Sequence, residues 1–280
     1  MVYDDAIIQN LRLLAEAVLQ NEGYMDNYSE IDAIATYEDV IHDIKGPMTI
    51  IYTYVQLLEV TKSMPKSALA YVEAIKKNCF KALKLVTDVS DASKLRDGYL
   101  LPSFANVNIV DLMRNLTEST LPFTVKKTLN LDFVCDFEEK IMATDKAFIE
   151  RVLLNLLSNS VKSTNVGGKI AVIMKDLGDR VEISVEDNGH GIKAENIDHI
   201  FDRYHTSDSV RGRGIGLSIV REIVEVLGGE ISVKSKVGKG TKMTMVFPVF
   251  VIEHEKQTEQ VCDDFYLDNM VQIELAEEYY

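Results

Sequence analysis

The sequence is short of basic residues, of cysteines and of long apolar runs, and each shortage removes a class of function. Thirty Lys and Arg against 44 Asp and Glu leave a net charge of −14. That balance disfavours nucleic acid or an anionic membrane surface as the main partner. Cys79, Cys135 and Cys262 are the three cysteines; none has a neighbour at zinc-ligand or redox-motif spacing, so they read as reduced thiols of a cytoplasmic protein. No apolar run reaches the roughly 18 residues that a membrane span needs. Asp4 and Asp5 stand where a signal peptide carries Lys or Arg. The expectation is a soluble cytoplasmic chain without internal repeats.

Apolar material is not lacking. At 280 residues and 46% hydrophobic content, the chain has enough for about two domains on the usual prior of roughly 150 residues each. Residues 1–22 predict an amphipathic helix stopping at Gly23, the core of a first segment over 1–27. A second helix runs from about Ser29 to Thr61, with Ile34, Tyr37, Ile41, Ile44, Met48, Ile51, Val55 and Leu58 at alternating spacings of three and four. A third runs from about Ser67 to Leu95 with Val72, Ile75, Cys79, Val86 and Val89 on one stripe. Two heptad-like helices joined by a short turn predict an antiparallel hairpin over 28–100, and two copies burying their stripes predict a homodimeric four-helix bundle.

"RDGYLLPSFANVN" reads as a linker. Beyond it, helices are expected at 108–118, 145–162 and 214–227. Strand pairs are expected in "GKIAVIMKDLGDRVEISVEDNG" and in "EISVKSKVGKGTKMTMVFPV", the latter turning at Gly238-Lys239-Gly240. The fold class is α+β, a helical hairpin followed by a two-layer α/β sandwich over about 107–250. From Glu253 onward nine Asp or Glu face one Lys, so 251–280 reads as an acidic tail, a solvated terminal extension.

Four stretches carry chemistry. "RVLLNLLSNSVKST" sets Asn155, Asn159 and Lys162 on one helical face. Taken alone they read equally well as surface polar residues. "EDNGHGI" ends a strand with Asp187, Gly189 and Gly191, where a carboxylate could accept from an adenine amino group; an ordinary strand-ending turn has the same composition. "RGRGIGLSIV" opens a helix with Gly212, Gly214 and Gly216, and exposed N–H groups there suit phosphate. "GKGT" puts Gly240 and Thr241 at a strand start. With "IFDRY" at 200–204, these stretches in this order resemble the N, glycine and phenylalanine boxes of the GHKL ATP-binding superfamily. The resemblance implies a Bergerat sandwich holding Mg–ATP. It places Asn159 on Mg²⁺ with Asn155 beside it, Lys162 on phosphate, Asp187 on the adenine, and Gly189, Gly191, Gly214, Gly216 and Thr241 around the pocket. Arg211 or Arg213 would supply a lid cation.

The hydrolysing branch of that superfamily carries a glutamate where this chain has Asn155, and an amide cannot act as a general base. Upstream, "HDIKGP" at 42–47 resembles the H box of sensor histidine kinases. Ile41 and Ile44 occupy the seam, so His42 lies beside it. The resemblance implies that His42 takes the phosphoryl group while Asp43 orients the ring and accepts its proton. Pro47 would bend the helix just beyond. It implies phosphotransfer to an aspartate of a response-regulator receiver domain. Gly46 replaces a polar residue tied to phosphatase activity in the family, Ser163 replaces a frequent aromatic, and the lid segment after Tyr204 is short. Fewer than thirty residues precede the H-box helix, so the expectation is a kinase taking its signal from an upstream sensor protein, or a fragment. The other reading is a non-catalytic, ATP-sensing scaffold that binds a regulatory protein through the bundle.

Overall fold

The computed structural model describes residues 44, 48, 51, 52, 54, 55, 58, 65–96, 101–202, 216–253 and 270–275. The helix expected over 1–22 lies outside the described residues, as do His42, Asp43, Arg211, Arg213 and Gly214. The chain divides into two units, 1–47 and 48–280. In the first, the described residue Ile44 is helical and half-buried.

In the second unit, Met48, Ile51, Tyr52, Tyr54, Val55 and Leu58 are all helical. Helix α1 spans Lys66–Arg96, close to the predicted bounds, and its apolar stripe buries Val72, Cys79, Phe80 and Leu83. The Tyr52 and Phe80 rings meet at 4.8 Å between centroids, tilted by 53°, so the two helical stretches lie side by side. Burial pushes the Cys79 thiol above its ordinary value, which keeps it protonated and unreactive.

The stretch expected to be linker holds strand β1 (Ala105–Asn108), which pairs antiparallel with β3 (Ile141–Thr144). Asn108 caps the next helix, α2 (Ile109–Ser119), by accepting a hydrogen bond from the Val110 amide. A short helix α3 (Leu121–Lys126) leads to β2 (Asn130–Cys135). Helix α4 (Lys146–Ser163) is started by Asp145, whose carboxylate accepts from the Phe148 amide and also from Ser103.

The main sheet has five strands in the order β2-β4-β5-β7-β6. Its members are β4 (Lys169–Asp176), β5 (Arg180–Asp187), β6 (Glu230–Lys236) and β7 (Gly240–Pro248) in addition to β2. The β2–β4 pair is parallel and the rest are antiparallel. Between β5 and β6 lie a short helix α5 (Ala194–Ile197) and helix α6 (Gly216–Val226). Both predicted hairpins form, the first turning through Gly178 and the second through Gly238-Lys239-Gly240.

Period-two alternation makes this two-layered. Ile170, Val172 and Met174 on β4, Val181, Ile183 and Val185 on β5, and Met243, Met245 and Phe247 on β7 share one core with α2, α4 and α6. Each such side chain taken fully from water contributes about 1.5–3 kcal/mol. Leu153, Leu154, Leu156 and Leu157 of α4 are at most 1% exposed, which explains how one helix can carry amides on its remaining face.

Past β7 the chain does not leave as a solvated tail. The Ala143 amide donates to Phe250 O at 2.6 Å. The Asn106 amide donates to Ile252 O and accepts from Ile252 N, at 2.9 and 3.0 Å. Residues 270–275 are helical, with Val271, Glu274 and Leu275 buried. Over those six residues the solvated reading fails: net charge summed along the whole tail hides a compact apolar patch.

Candidate functional site

Alternation along β5 decides where the site's carboxylate goes. Residues 181, 183 and 185 face the helices, so Asp187 at the strand end shares that face. It is 7% exposed. Its Oδ1 accepts from the Gly189 amide at 2.9 Å, and its Oδ2 accepts from the Ser160 hydroxyl of α4 at 3.2 Å. Burial pushes the carboxyl above its ordinary value of 3.8, against the opposing pull of the Gly189 amide, the Ser160 and Ser163 hydroxyls and the Thr241 amide. Asn188 stops the strand by bonding back to Lys169 through both backbone and side chain.

On α4, the Asn159 side-chain amide donates to Asn155 Oδ1 at 3.1 Å. Asn155 is 8% exposed and Asn159 is exposed, so the two are not equivalent surface amides. Asn155 is closed in by the start of α6: a methyl group placed on Gly216 would lie 2.6 Å from its amide nitrogen. Lys162 is half-buried on the last turn of the same helix.

Of the loop glycines, Gly189 lies against the Ser163 carbonyl, where a Cβ would approach to 2.4 Å. Gly191 and Gly240 have left-handed φ of +70° and +102°, and a Cβ at Gly240 would fall 1.8 Å from Asp187 O. A side chain at Gly240 is therefore excluded both by backbone conformation and by space. Thr241 sits opposite Asp187 in the β5–β7 register, its hydroxyl 2.9 Å from that of Ser235. His190 and His199 are exposed, and His199 bonds Asp202. Phe201 of the phenylalanine box lies under the Arg221 guanidinium at 4.9 Å.

The structure thus brings Asn155, Asn159, Lys162, Asp187, Gly189 and Gly216 to one end of the sandwich. The sequence reading missed Ser160, which lies one position past Asn159 and so turns toward the sheet. A hydroxyl on the buried side of a leucine-rich helix was its signal, because such a group requires a partner.

Residues 144–250 match the histidine kinase-, DNA gyrase B-, and HSP90-like ATPase family. The chain is 30% identical over 212 residues to the sensor histidine kinase YvrG of Bacillus subtilis, covering 74% of this chain and 37% of YvrG. It is 31% identical over 232 residues to the sensor protein ChvG of Rhizobium meliloti, covering 78% of this chain and 40% of ChvG.

The chain belongs to the sensor histidine kinase family.

The chain spans 37% of the length of YvrG. Full-length ShkA, solved with AMPPNP, superposes at a TM-score of 0.65 with 25% identity over 78% of this chain and 47% of ShkA. Histidine kinase ThkA, solved with the response regulator TrrA, superposes at 0.52 with 22% identity over 84% of this chain and 66% of ThkA, a likeness of fold. Residues 144–250 form an ATP-binding domain of the GHKL type. Among the described residues no helix is long and apolar enough to cross a membrane, and no cluster of three or more His, Cys, Asp or Glu is placed to hold a metal.

The donor set agrees with a nucleotide-borne magnesium ion. Asn159 uses its nitrogen toward Asn155, a bond that does not engage its carbonyl oxygen, a hard ligand. One protein oxygen is enough for an ion that keeps waters and phosphate oxygens as its other ligands.

Proposed function

We propose that this chain is a homodimeric protein-histidine kinase that transfers the γ-phosphoryl group of Mg–ATP to His42 and then to an aspartate of a response-regulator receiver domain. The supporting observation is the buried Asn155, enclosed by Gly216, at the position where a hydrolysing relative needs a glutamate. The next carboxylate back along α4, Glu150, is paired with Lys146 at 3.6 Å. Water is given no base on this helix, which favours transfer to a protein nucleophile over hydrolysis.

In this reading Asp187 accepts the adenine amino group, Asn159 holds Mg²⁺ beside Asn155, and Lys162 meets the phosphates. Gly189, Gly191, Gly214, Gly216 and Thr241 shape the pocket, and Arg211 or Arg213 closes over the leaving group. Bound magnesium supplies charge neutralisation on the phosphates. One imidazole nitrogen of His42 attacks the γ-phosphorus, the bond to the β–γ bridging oxygen breaks, and ADP leaves. The proton on the other nitrogen passes to Asp43.

The hairpin over 28–100 is the dimerisation and phosphotransfer domain, and 107–250 is the catalytic domain. Ile51, Leu58 and Ile75 are each more than two-fifths exposed, and a second copy would cover them. The flanking segments, 1–27 and 251–280, are an N-terminal segment and an acidic C-terminal region. The receiver domain docks on the bundle in the cytoplasm, with an upstream sensor protein supplying the signal.

Incubation of the purified protein with γ-labelled ATP and Mg²⁺ tests this, alongside His42→Gln and Asn159→Ala. Acid-labile, alkali-stable label on the wild type alone is the expected result. Nucleotide binding without labelling would reject the kinase and support an ATP-sensing scaffold.

A further inference from the structure

The six helical residues 270–275 touch two bodies at once. Toward the sandwich, Val271 and Leu275 enter the main core at 1% and 0% exposure. The Ser158 hydroxyl of α4 donates to the Glu274 backbone carbonyl at 2.9 Å. Toward the helical hairpin, Ile273 packs on the Tyr52–Phe80 pair, and the Tyr52 hydroxyl donates to Gln272 Oε1 at 3.1 Å. Glu274 meets Lys84 of α1 at 2.5 Å, with the two side chains 4% and 18% exposed.

These contacts join regions far apart in sequence, Tyr52 with Gln272 and Ser158 with Glu274. A segment that merely trailed from the domain would not bring a charged side chain into a nearly dry seat, because desolvating it requires a partner placed to meet it. Lys84 is that partner. Ser158 immediately precedes Asn159, so the seat adjoins the helix that carries the nucleotide amides.

We propose that residues 270–275 are an intramolecular clamp: a C-terminal helix that occupies the cleft between the hairpin and α4, fixes the ATP-binding domain against the hairpin, and restrains phosphoryl transfer until it is displaced. The restraining role rests on the kinase reading; the clamp itself does not. A domain that must carry ATP to a histidine and then clear the way for a receiver has to move over the hairpin. A helix anchored in both bodies opposes that movement, and its release is a switch that a partner binding the C-terminal region can operate.

The decisive test uses the full chain with Lys84→Glu, Glu274→Lys and the two combined. Backbone amide hydrogen exchange is followed in 270–275 and around Phe80, in parallel with the rate of labelling from γ-labelled ATP. Each single reversal should speed exchange at both places at least tenfold and raise the labelling rate several-fold. The combined swap should restore both, which a general packing defect would not do. A chain ending at residue 269 should behave like the single reversals and covers the case of a reversal that fails to fold. Unchanged exchange in the single variants, or no restoration by the swap, overturns the clamp. A labelling rate that stays level or falls when exchange rises overturns the restraint. Absence of label in every form, with exchange still following the charge pairing, rejects the kinase reading and supports the clamp.

Discussion

The Ser160 hydroxyl reaches Asp187 Oδ2 at 3.2 Å and so ties the helix bearing Asn155 and Asn159 to the end of the central strand. One member of this pair is a buried acid whose burial raises its proton affinity. A group whose folded pKa lies above its unfolded value favours the folded state at low pH and loses that contribution as pH rises through the folded pKa. Ionised Asp187 is therefore a cost to stability at neutral pH. Asp187→Asn should weaken ATP binding about 10- to 100-fold, the equivalent of about 1.5–3 kcal/mol for a hydrogen bond to a charged group. The same variant should keep or raise the melting temperature, since an amide still accepts from Gly189 and the Ser160 hydroxyl can turn to accept. Calorimetric titration and thermal melts check both halves. Wild-type ATP affinity should also fall on acidification from a higher pH than an ordinary aspartate would dictate, starting above 3.8.

Asn155→Glu should not create an ATPase. The longer side chain meets Gly216, where even a methyl on the facing residue would come within 2.6 Å of the present amide. Overpacking of this kind costs about 1–3 kcal/mol. The expected outcome is a lower denaturant midpoint with phosphate release no faster than wild type. A coupled phosphate assay showing steady turnover would contradict it.

Gly240→Ala places a methyl 1.8 Å from the Asp187 carbonyl oxygen at a residue with φ of +102°. Strain and displacement together should lower the unfolding free energy by about 3 kcal/mol or more. Because Asp187 must shift, ATP affinity should fall in the same variant. Gly178→Ala, at φ +88° with open space around it, is the comparison: strain alone, and an intact nucleotide site.

Ile51→Asp combined with Ile75→Asp addresses the exposed stripe of the hairpin. Sedimentation should show a dimer for the wild type and a monomer for the double variant, with thermal stability of the sandwich unchanged because neither residue belongs to its core. A wild-type monomer would remove the bundle.

Much of the sandwich is legible in the sequence because its physics is local. The alternations in β4, β5 and β7 and the leucine run of α4 each report their own burial, and glycines mark the turns. The same alternation, run to its end, places Asp187. What escaped the reading depends on distant partners. Strand β1 is four residues of "ANVN" held by β3 and by Ile252, and nothing in its own composition announces a strand. The buried patch at 270–275 is six residues inside an acidic stretch, and its seat at Tyr52 is 220 residues away. Ser160 was hidden by its better-known neighbour, Asn159.

The pair of hydrogen bonds between the Asn106 side chain and the Ile252 backbone spans 146 residues. It clips the first strand of the sandwich to the stretch that follows its last strand, so the polypeptide arrives and departs through the same doorway. Tension applied to either flank meets this clip, with the β1–β3 ladder and the Ala143–Phe250 bond beside it, before it reaches the main sheet. The register that aims Asp187 is thereby shielded from a pull at the two ends of the sheet.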